Sequence, residues 1–213
     1  MTEQHAGWDD LAARVPGSAA IAAAAEARAA APVRSVLARL MGVHTTERAW
    51  RLGAAGERRV GRQLERLTKN DPRWRCLHAI PVGRRGADID HLVIGPGGVF
   101  TLNAKHHPGA RLWVGGDTFM VNGARQPYVR NSRHEASRAS RLLSAAVGHS
   151  IAVTGVVVPV GAQDVKIKMR PTDVVIVPRR QLRRWLASLP QALPGAIVDS
   201  IYEQARRSTT WLR

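Results

Sequence analysis

The stretch ADIDHLVIGPGGVFTLNAK, residues 87–105, decides the fold of this chain. Two apolar runs rich in β-branched residues flank the turn signal Gly95-Pro96-Gly97-Gly98, and this pattern predicts an antiparallel β-hairpin. With the turn centred between Pro96 and Gly97, Ile94 faces Val99 and Leu92 faces Thr101. The closed end of the hairpin is therefore apolar.

The open end of the same hairpin is polar. The register that follows from the turn places Asp90 opposite Asn103 and Asp88 opposite Lys105. Directly opposed side chains have Cβ atoms about 4.5–5.5 Å apart on one face of a sheet. We therefore predict a cluster of these four side chains, which a register slip of one residue would disperse.

The hairpin lies within a longer series of predicted elements. A helix is predicted over 47–69, ended by Asn70-Asp71-Pro72, and the hairpin continues an antiparallel meander whose other strands are 75–82, 111–114 and 118–122. The remaining elements are a helix at 131–147, strands at 152–160, 165–168 and 173–177, and helices at 179–189 and 194–207. This order predicts a mixed α/β fold in which helices flank a central mixed sheet.

The first 44 residues differ in composition from the rest. They are rich in Ala and Pro and poor in large apolar side chains, with a candidate helix at 19–31. We expect residues 1–44 to form a mobile or partly helical extension and residues 45–213 to form the main domain.

The chain is strongly basic. It has 213 residues, with 32 Lys and Arg against 16 Asp and Glu, and a formal net charge of +16. Almost all of the basic residues are arginine, whose planar guanidinium suits bidentate contacts to phosphate or carboxylate. An arginine-rich genome would produce the same bias.

Other features exclude several protein classes. The single cysteine, Cys76, allows neither an internal disulfide nor a Cys-x-x-Cys zinc site, and we expect a reducing cytoplasm. Cys76 lies in an apolar strand, where a core position is expected. The longest apolar runs fall short of the roughly 18 residues that a transmembrane helix requires, so no transmembrane segment is predicted.

One carboxylate lies on the apolar face of the first predicted helix. Val60, Leu64 and Leu67 have the spacing of a core-facing stripe, and Glu57 belongs to the same stripe. A buried carboxylate is costly unless a positive group pairs with it. The alternative is that Glu57 lies at the edge of the stripe and forms an ion pair within the helix.

The hairpin cluster has the composition of a metal-assisted hydrolytic site. Carboxylate and amide oxygens bind hard cations such as Mg²⁺ or Mn²⁺, and a lysine can orient the attacking water and stabilise negative charge. Glu57 could add another oxygen. The alternative is an ordinary cross-strand Asp–Lys pair, with Asp88 capping the turn at Gly86.

Three stretches of the sequence resemble the NERD (nuclease-related) domain, a branch of the PD-(D/E)xK nuclease-like superfamily. They are GAAGER at 53–58, ADIDHLVIGPGGVF at 87–100 and NAK at 103–105, and the similarity spans residues 51–143. The resemblance implies a restriction-endonuclease-like core with a mixed central sheet flanked by helices. It also implies dependence on Mg²⁺ or Mn²⁺.

The resemblance assigns roles to individual residues. Glu57 resembles the helix glutamate, Asp90 the metal-binding aspartate and Lys105 the motif lysine. Asn103 departs from the pattern, since the superfamily has Asp or Glu two residues before the lysine. Asparagine offers a carbonyl oxygen but no negative charge, which weakens cation binding, and Asp88 is a candidate substitute. The expected metal ligands are thus Glu57, Asp88, Asp90 and Asn103.

Basic side chains near this cluster are candidates for nucleic-acid binding. The expected contact residues are Arg84, Arg85, His106, His107, Arg130, Arg133 and Arg138. A row of cations on the helix at 131–147 could follow phosphates, although a solvated charged face is the alternative. The histidines His78, His91, His106 and His107 also suggest zinc, but the chain has no further zinc signal.

The sequence leads to three functional hypotheses. The first is a cytoplasmic nuclease-related hydrolase that binds nucleic acid, with DNA as the expected partner, and uses Glu57, Asp90, Asn103 and Lys105 for Mg²⁺-dependent phosphodiester hydrolysis. The second is a catalytically inactive module for binding nucleic acid or protein, with Asn103 marking a decayed site. The third is a basic adaptor for an acidic protein or an anionic membrane.

Overall fold

The computed structural model describes residues 7–18, 46–83 and 87–212. The predicted helix at 19–31, together with Arg84 and Arg85, lies outside the described residues. The helices are α1 (Thr46–Asn70), α2 (Tyr128–Val147), α3 (Arg179–Ala187), α4 (Gly195–Ala205) and α5 (Ser208–Trp211). The strands are β1 (Arg75–Val82), β2 (Ala87–Gly95), β3 (Gly98–His106), β4 (Arg111–Gly115), β5 (Thr118–Val121), β6 (Ala124–Gln126), β7 (Val153–Val160), β8 (Asp164–Met169) and β9 (Val174–Ile176).

The strands form two mixed sheets. The larger sheet has the order β1-β2-β3-β7-β9, with β1, β2 and β3 antiparallel and β3, β7 and β9 parallel. The smaller sheet has the order β6-β5-β4-β8. The predicted α/β fold with a mixed sheet flanked by helices is confirmed. The predicted meander, however, divides after β3, because β4 and β5 belong to the second sheet.

The hairpin register is confirmed at its closed end and wrong at its open end. The observed pairs include Ile94 with Val99 and Leu92 with Thr101, as predicted. The β2–β3 ladder ends at His91 and Leu102, so the predicted direct opposition of Asp90 to Asn103 and of Asp88 to Lys105 does not form.

Helices cover both faces of the larger sheet. Val60, Leu64 and Leu67 of α1 pack with Phe100 and Leu102 of β3. On the other face, Ala139, Leu142 and Leu143 of α2 pack with Leu92 and Val99. Side chains alternate between the two faces of a strand, so α1 and α2 lie on opposite faces of β3. Two helices can therefore reach the open end of the hairpin from two sides.

The first described segment, residues 7–18, packs against the C-terminal part of the chain. Leu11 is fully buried in the same core cluster as Ile201 and Trp211. The backbone N–H of Leu11 donates to the carbonyl of Arg206 at 2.8 Å, and the N–H of Ser208 donates to the carbonyl of Asp9 at 3.1 Å. This part of the N-terminal extension is thus part of the core.

Two further features of the described chain bear on the expectations from sequence. Burial raises the pKa of the Cys76 thiol to about 12, which suits a packing role and not a nucleophile. In the described residues, no helix is both long and apolar enough to cross a membrane.

The docked segment yields a stability prediction. Leu11→Ala should lower the free energy of unfolding by about 2–5 kcal/mol, because it leaves a cavity in the core. Val15→Ala is the matched control, since Val15 is 61% exposed and its truncation should cost less than about 0.5 kcal/mol. Urea unfolding measures both values, and equal effects would show that the segment does not contribute to the core.

Candidate functional site

Asp90 lies at a break in the strand pairing. Its position lies between the pairs His78–His91 and Ile80–Ile89 of the β1–β2 ladder, and beyond the end of the β2–β3 ladder. Its carboxylate accepts a hydrogen bond from the backbone N–H of Ala104 at 2.7 Å, in place of a strand-to-strand bond. Across from it on β1, Ala79 has a φ of 49°, a left-handed conformation that a non-glycine residue rarely adopts. The hairpin is thus distorted at the aspartate.

Glu135 of α2 joins the site, although it was not among the predicted residues. The side-chain amide of Asn103 donates to Oε2 of Glu135 at 3.2 Å. Close approach of α2 to β7 makes this possible, because a Cβ on Gly155 would lie 2.6 Å from Oγ of Ser132. Glu135 therefore brings a carboxylate to the position where Asn103 has none.

Glu57 reaches the cluster from α1, on the other face of the sheet. It is 7% exposed, so the alternative of a surface ion pair within the helix is wrong. A Cβ on Gly56 would lie 2.8 Å from Cβ of His106, which shows how closely α1 approaches β3 here. The backbone N–H of Gly17, in the docked N-terminal segment, favours the ionised form of Glu57.

Lys105 is held beside the carboxylates by an aromatic side chain. Its ammonium nitrogen lies 5.0 Å from the ring centroid of Tyr128, a cation–π contact. The Tyr128 hydroxyl lies 2.9 Å from Nε2 of His107, which fixes the ring. The charge of Lys105 acts on Asp90, Asp88, Glu57 and Glu135, since it lowers the pKa of each.

Burial and crowding nevertheless favour the protonated forms of these acids. Desolvation is the largest cause in each case, and it raises the pKa of Glu57 and of Glu135 to about 8 and that of Asp90 to about 6. The charge of Asp90 raises the pKa of both glutamates further. Desolvation also raises the pKa of Asp88, which the charge of Arg14 partly offsets. If all four carboxylates were ionised, Lys105 and Arg14 would not balance their charge, so the ionised site would have a deficit of positive charge.

Several oxygens of the site lack a hydrogen-bond donor. Within the described part of the chain, Oε2 of Glu57, Oδ1 of Asn103 and Oε1 of Glu135 are buried without a partner. The Thr101 hydroxyl lies near Glu135 but does not reach hydrogen-bonding geometry. Buried acceptors are normally satisfied, and unpaired ones point to a missing ion or water.

The unpaired oxygens fit a hard divalent cation. Mg²⁺ takes oxygen ligands and is usually held by one or two carboxylates, with water and substrate phosphate completing its shell. Asp90 and Glu135 supply the carboxylates, and Asn103 supplies an amide oxygen. No group of three histidine, cysteine, aspartate or glutamate side chains in the described ranges is arranged to hold a metal by itself. A bound cation would therefore also need the amide oxygen of Asn103 and oxygens from water or substrate.

The predicted nucleic-acid contacts are dispersed. Arg133 is engaged by two carboxylates, Asp117 at 2.9 Å and Asp173 at 2.7 Å. The Arg138 guanidinium lies against Gly83, and Arg130 is exposed. These positions lie along α2, whereas His106 and His107 flank the site at the end of β3.

The four histidines do not form one centre. His78 and His91 face each other with their Nδ1 atoms 2.9 Å apart, and burial holds the pKa of both well below the usual range. His106 and His107 instead contact α1 and α2 respectively. The described residues thus give the zinc alternative no support.

The raised pKa values predict how stability depends on pH. Both glutamates have folded-state pKa values of about 8, above the value of about 4.3 expected in an unfolded chain. Their contribution to stability is complete below the unfolded value and is lost as the pH rises through 8. The metal-free double variant Glu57→Gln/Glu135→Gln should therefore be more stable than the parent by about 2 kcal/mol near pH 9, and by much less near pH 5. Urea unfolding in EDTA tests this prediction. A difference in unfolding free energy between variant and parent that is no larger near pH 9 than near pH 5 would contradict it.

One comparison with known proteins identifies the family of this chain. The family model described as nuclease-related domain, NERD, matches residues 52–160, just over half of the chain. The match includes α1 from Leu52 onward, β1 to β6, α2 and β7, and therefore every side chain of the carboxylate cluster. No curated protein and no solved structure matches the chain. The protein belongs to the nuclease-related domain family.

Proposed function

We propose that this protein hydrolyses phosphodiester bonds of nucleic acid, with DNA as the expected substrate, and that Asp90, Asn103 and Glu135 hold a Mg²⁺ or Mn²⁺ ion. The observation that carries the proposal is the group of buried, unpaired oxygens beside Asp90. A protein gains nothing in stability from leaving such acceptors unsatisfied. A cation-binding function accounts for them.

Glu135 accounts for the neutral residue at position 103. The superfamily pattern has an acid there, and its loss removes a ligand charge. The 3.2 Å hydrogen bond from Asn103 to Glu135 supports this role, because it holds a carboxylate from α2 next to Asn103. A bound cation would favour the ionised forms of Asp90 and Glu135, which would then supply two negative charges, the number that suits a Mg²⁺ ion completed by water and phosphate.

The remaining residues have roles in orienting substrate and water. When bound, a divalent cation supplies concentrated positive charge where negative charge develops on the phosphodiester. Lys105 can donate hydrogen bonds from its ammonium group to a phosphate oxygen or to the attacking water. The cation–π contact with Tyr128 limits the positions that the ammonium can adopt. Glu57 and Asp88 add negative potential that attracts the cation.

Two observations favour a second candidate, a binding module without catalysis. Lys105 already offsets part of the negative charge of the acids, and the described residues hold no cluster of three acidic or histidine ligands. A module of this kind would bind nucleic acid in a salt-dependent manner and would not cleave it, whatever the cation.

Cleavage assays separate these two functions. Purified protein is incubated with supercoiled plasmid and Mg²⁺ or Mn²⁺, and nicked and linear products are quantified. Asp90→Asn and Lys105→Met should each lower the rate by about 100-fold or more, because each removes charge from the reacting centre. Asp164→Asn, an exposed carboxylate on β8, is the control and should keep full activity. Cleavage that survives both site substitutions would overturn the assignment.

A charge exchange tests the role of Glu135. Glu135→Gln should lower both Mn²⁺ affinity, measured by calorimetry, and cleavage by about tenfold or more, because a ligand charge is lost. The double variant Asn103→Glu/Glu135→Gln should recover both, since the carboxylate then comes from β3. Asn103→Glu alone controls for the new side chain and should not improve cleavage. A Glu135→Gln variant that binds Mn²⁺ like the parent would contradict the proposed ligand.

A further inference from the structure

A row of arginines lies on the outward side of α1. Arg59, Arg62 and Arg66 are three and four residues apart, so they project from one face of the helix. Their positions span about 10 Å along the axis at 1.5 Å per residue. Arg62 and Arg66 are exposed, and Arg59 is half-buried.

Helix α3 adds two more arginines to this row. Leu182 and Leu186 of α3 pack in the same core cluster as Val60 and Leu64 of α1, so the two helices lie side by side. Arg179, at the start of α3, is half-buried there. Its pKa is lowered first by burial and then by the charges of four arginines, Arg180, Arg59, Arg62 and Arg66. The five side chains, which we call the arginine surface, thus share one region.

Acids compensate little of the charge of the arginine surface, although Arg66 acts on Glu65 and lowers its pKa. Within the described part of the chain, none of the five forms an ion pair, and Glu65, the acid nearest in sequence, pairs with Lys69 at 2.9 Å. Elsewhere the described structure does pair its arginines, as with Arg206 and Asp10 or Arg133 and Asp117. Like charges held together cost free energy, which a bound polyanion would offset.

The arginine surface begins next to the candidate site. Nη1 of Arg59 donates to Nε2 of His106 at 2.7 Å, while Nδ1 of His106 donates to the carbonyl of Leu52 at 2.8 Å. His106 and Lys105 are neighbours in β3, so their side chains lie on opposite faces of the sheet, His106 on the α1 face and Lys105 on the α2 face. Glu57 of α1 reaches the cluster from the same face as His106 and acts on Asp90. A chain of phosphates on the arginine surface would therefore approach the carboxylate cluster from its α1 side.

We propose that the arginine surface, formed by Arg59, Arg62, Arg66, Arg179 and Arg180, binds the phosphodiester backbone of nucleic acid next to the candidate site. The inference rests on the proposed function for its choice of ligand. Guanidinium groups suit bidentate phosphate contacts, and a row of about 10 Å matches the rise of about three nucleotides along the axis of a DNA duplex, at 3.4 Å per nucleotide of one strand. In the described residues, neither 59–66 nor 179–184 exposes a large apolar side chain that could enter a membrane.

Binding is measured by fluorescence anisotropy on a short labelled DNA duplex in EDTA, over a series of NaCl concentrations. The parent is compared with Arg62→Gln/Arg66→Gln/Arg180→Gln, three exposed positions of the arginine surface. Affinity should fall by about tenfold or more, and the slope of log K against log salt should become shallower by about 2 to 3. Unchanged thermal melting shows that the variant is folded.

The matched control is Arg111→Gln/Arg125→Gln/Arg170→Gln, which removes the same charge from exposed positions outside α1, α2 and α3. It should keep most of the affinity. Equal losses in both variants, or none in the first, would overturn the proposal, because only the overall field or another surface would then matter. Loss of binding to phosphatidylserine vesicles with unchanged DNA binding would also overturn it.

The two proposals fail in different ways. Because binding is measured without a divalent cation, it does not depend on turnover. DNA binding that requires the arginine surface, in a protein that cleaves nothing, would refute the nuclease and support the arginine surface. Cleavage by a protein whose DNA affinity does not change when these arginines are replaced would support the nuclease and refute the arginine surface.

Discussion

The hydrogen bond from the backbone of Ala104 to the carboxylate of Asp90 is the contact on which the site depends. The bond forms beyond the last residue pair of the β2–β3 ladder, where the N–H of Ala104 has no backbone partner on β2. The carboxylate of Asp90 accepts that hydrogen bond instead. The aspartate is thereby fixed near Lys105 in a desolvated position. Glu57 and Glu135 then approach it from helices on opposite faces of the sheet, and burial together with repulsion from Asp90 raises the pKa of each glutamate. A cation at this point would relieve that repulsion.

Close approach of helices to the sheet brings the distant carboxylates together. Gly56 lets α1 lie against His106, and Gly155 lets α2 lie against β7. A side chain at either glycine would push its helix outward and move the glutamate that the helix carries. The arrangement of the acids therefore depends on packing as much as on the hairpin. The docked segment around Gly17 further encloses Glu57.

The hairpin could be predicted from sequence because its turn residues and its strand-forming apolar runs are close together in the chain. The same pattern places Asp90, Asn103 and Lys105 toward one end of the hairpin, and helical spacing places Glu57 on a buried face, which is confirmed. The functional roles of these residues stay predictions. This reasoning missed Glu135, which directly follows Arg133 and His134 in the sequence and reaches the candidate site only through the packing of α2 on the sheet. A signal was present, since Glu135 is the one acid in α2 and lies four residues before the buried Ala139. The second sheet and the docking of Leu11 depend on contacts distant in sequence, which no local pattern encodes.

The central claim is that Asp90, Asn103 and Glu135 form one cation site, and a crystal structure of the protein grown with Mn²⁺ tests it most directly. Data collected near the manganese absorption edge would locate the ion independently of any assumption about its ligands. The account predicts an anomalous difference peak in contact with oxygens of all three side chains. A peak elsewhere, or none at this position at saturating Mn²⁺, would contradict it.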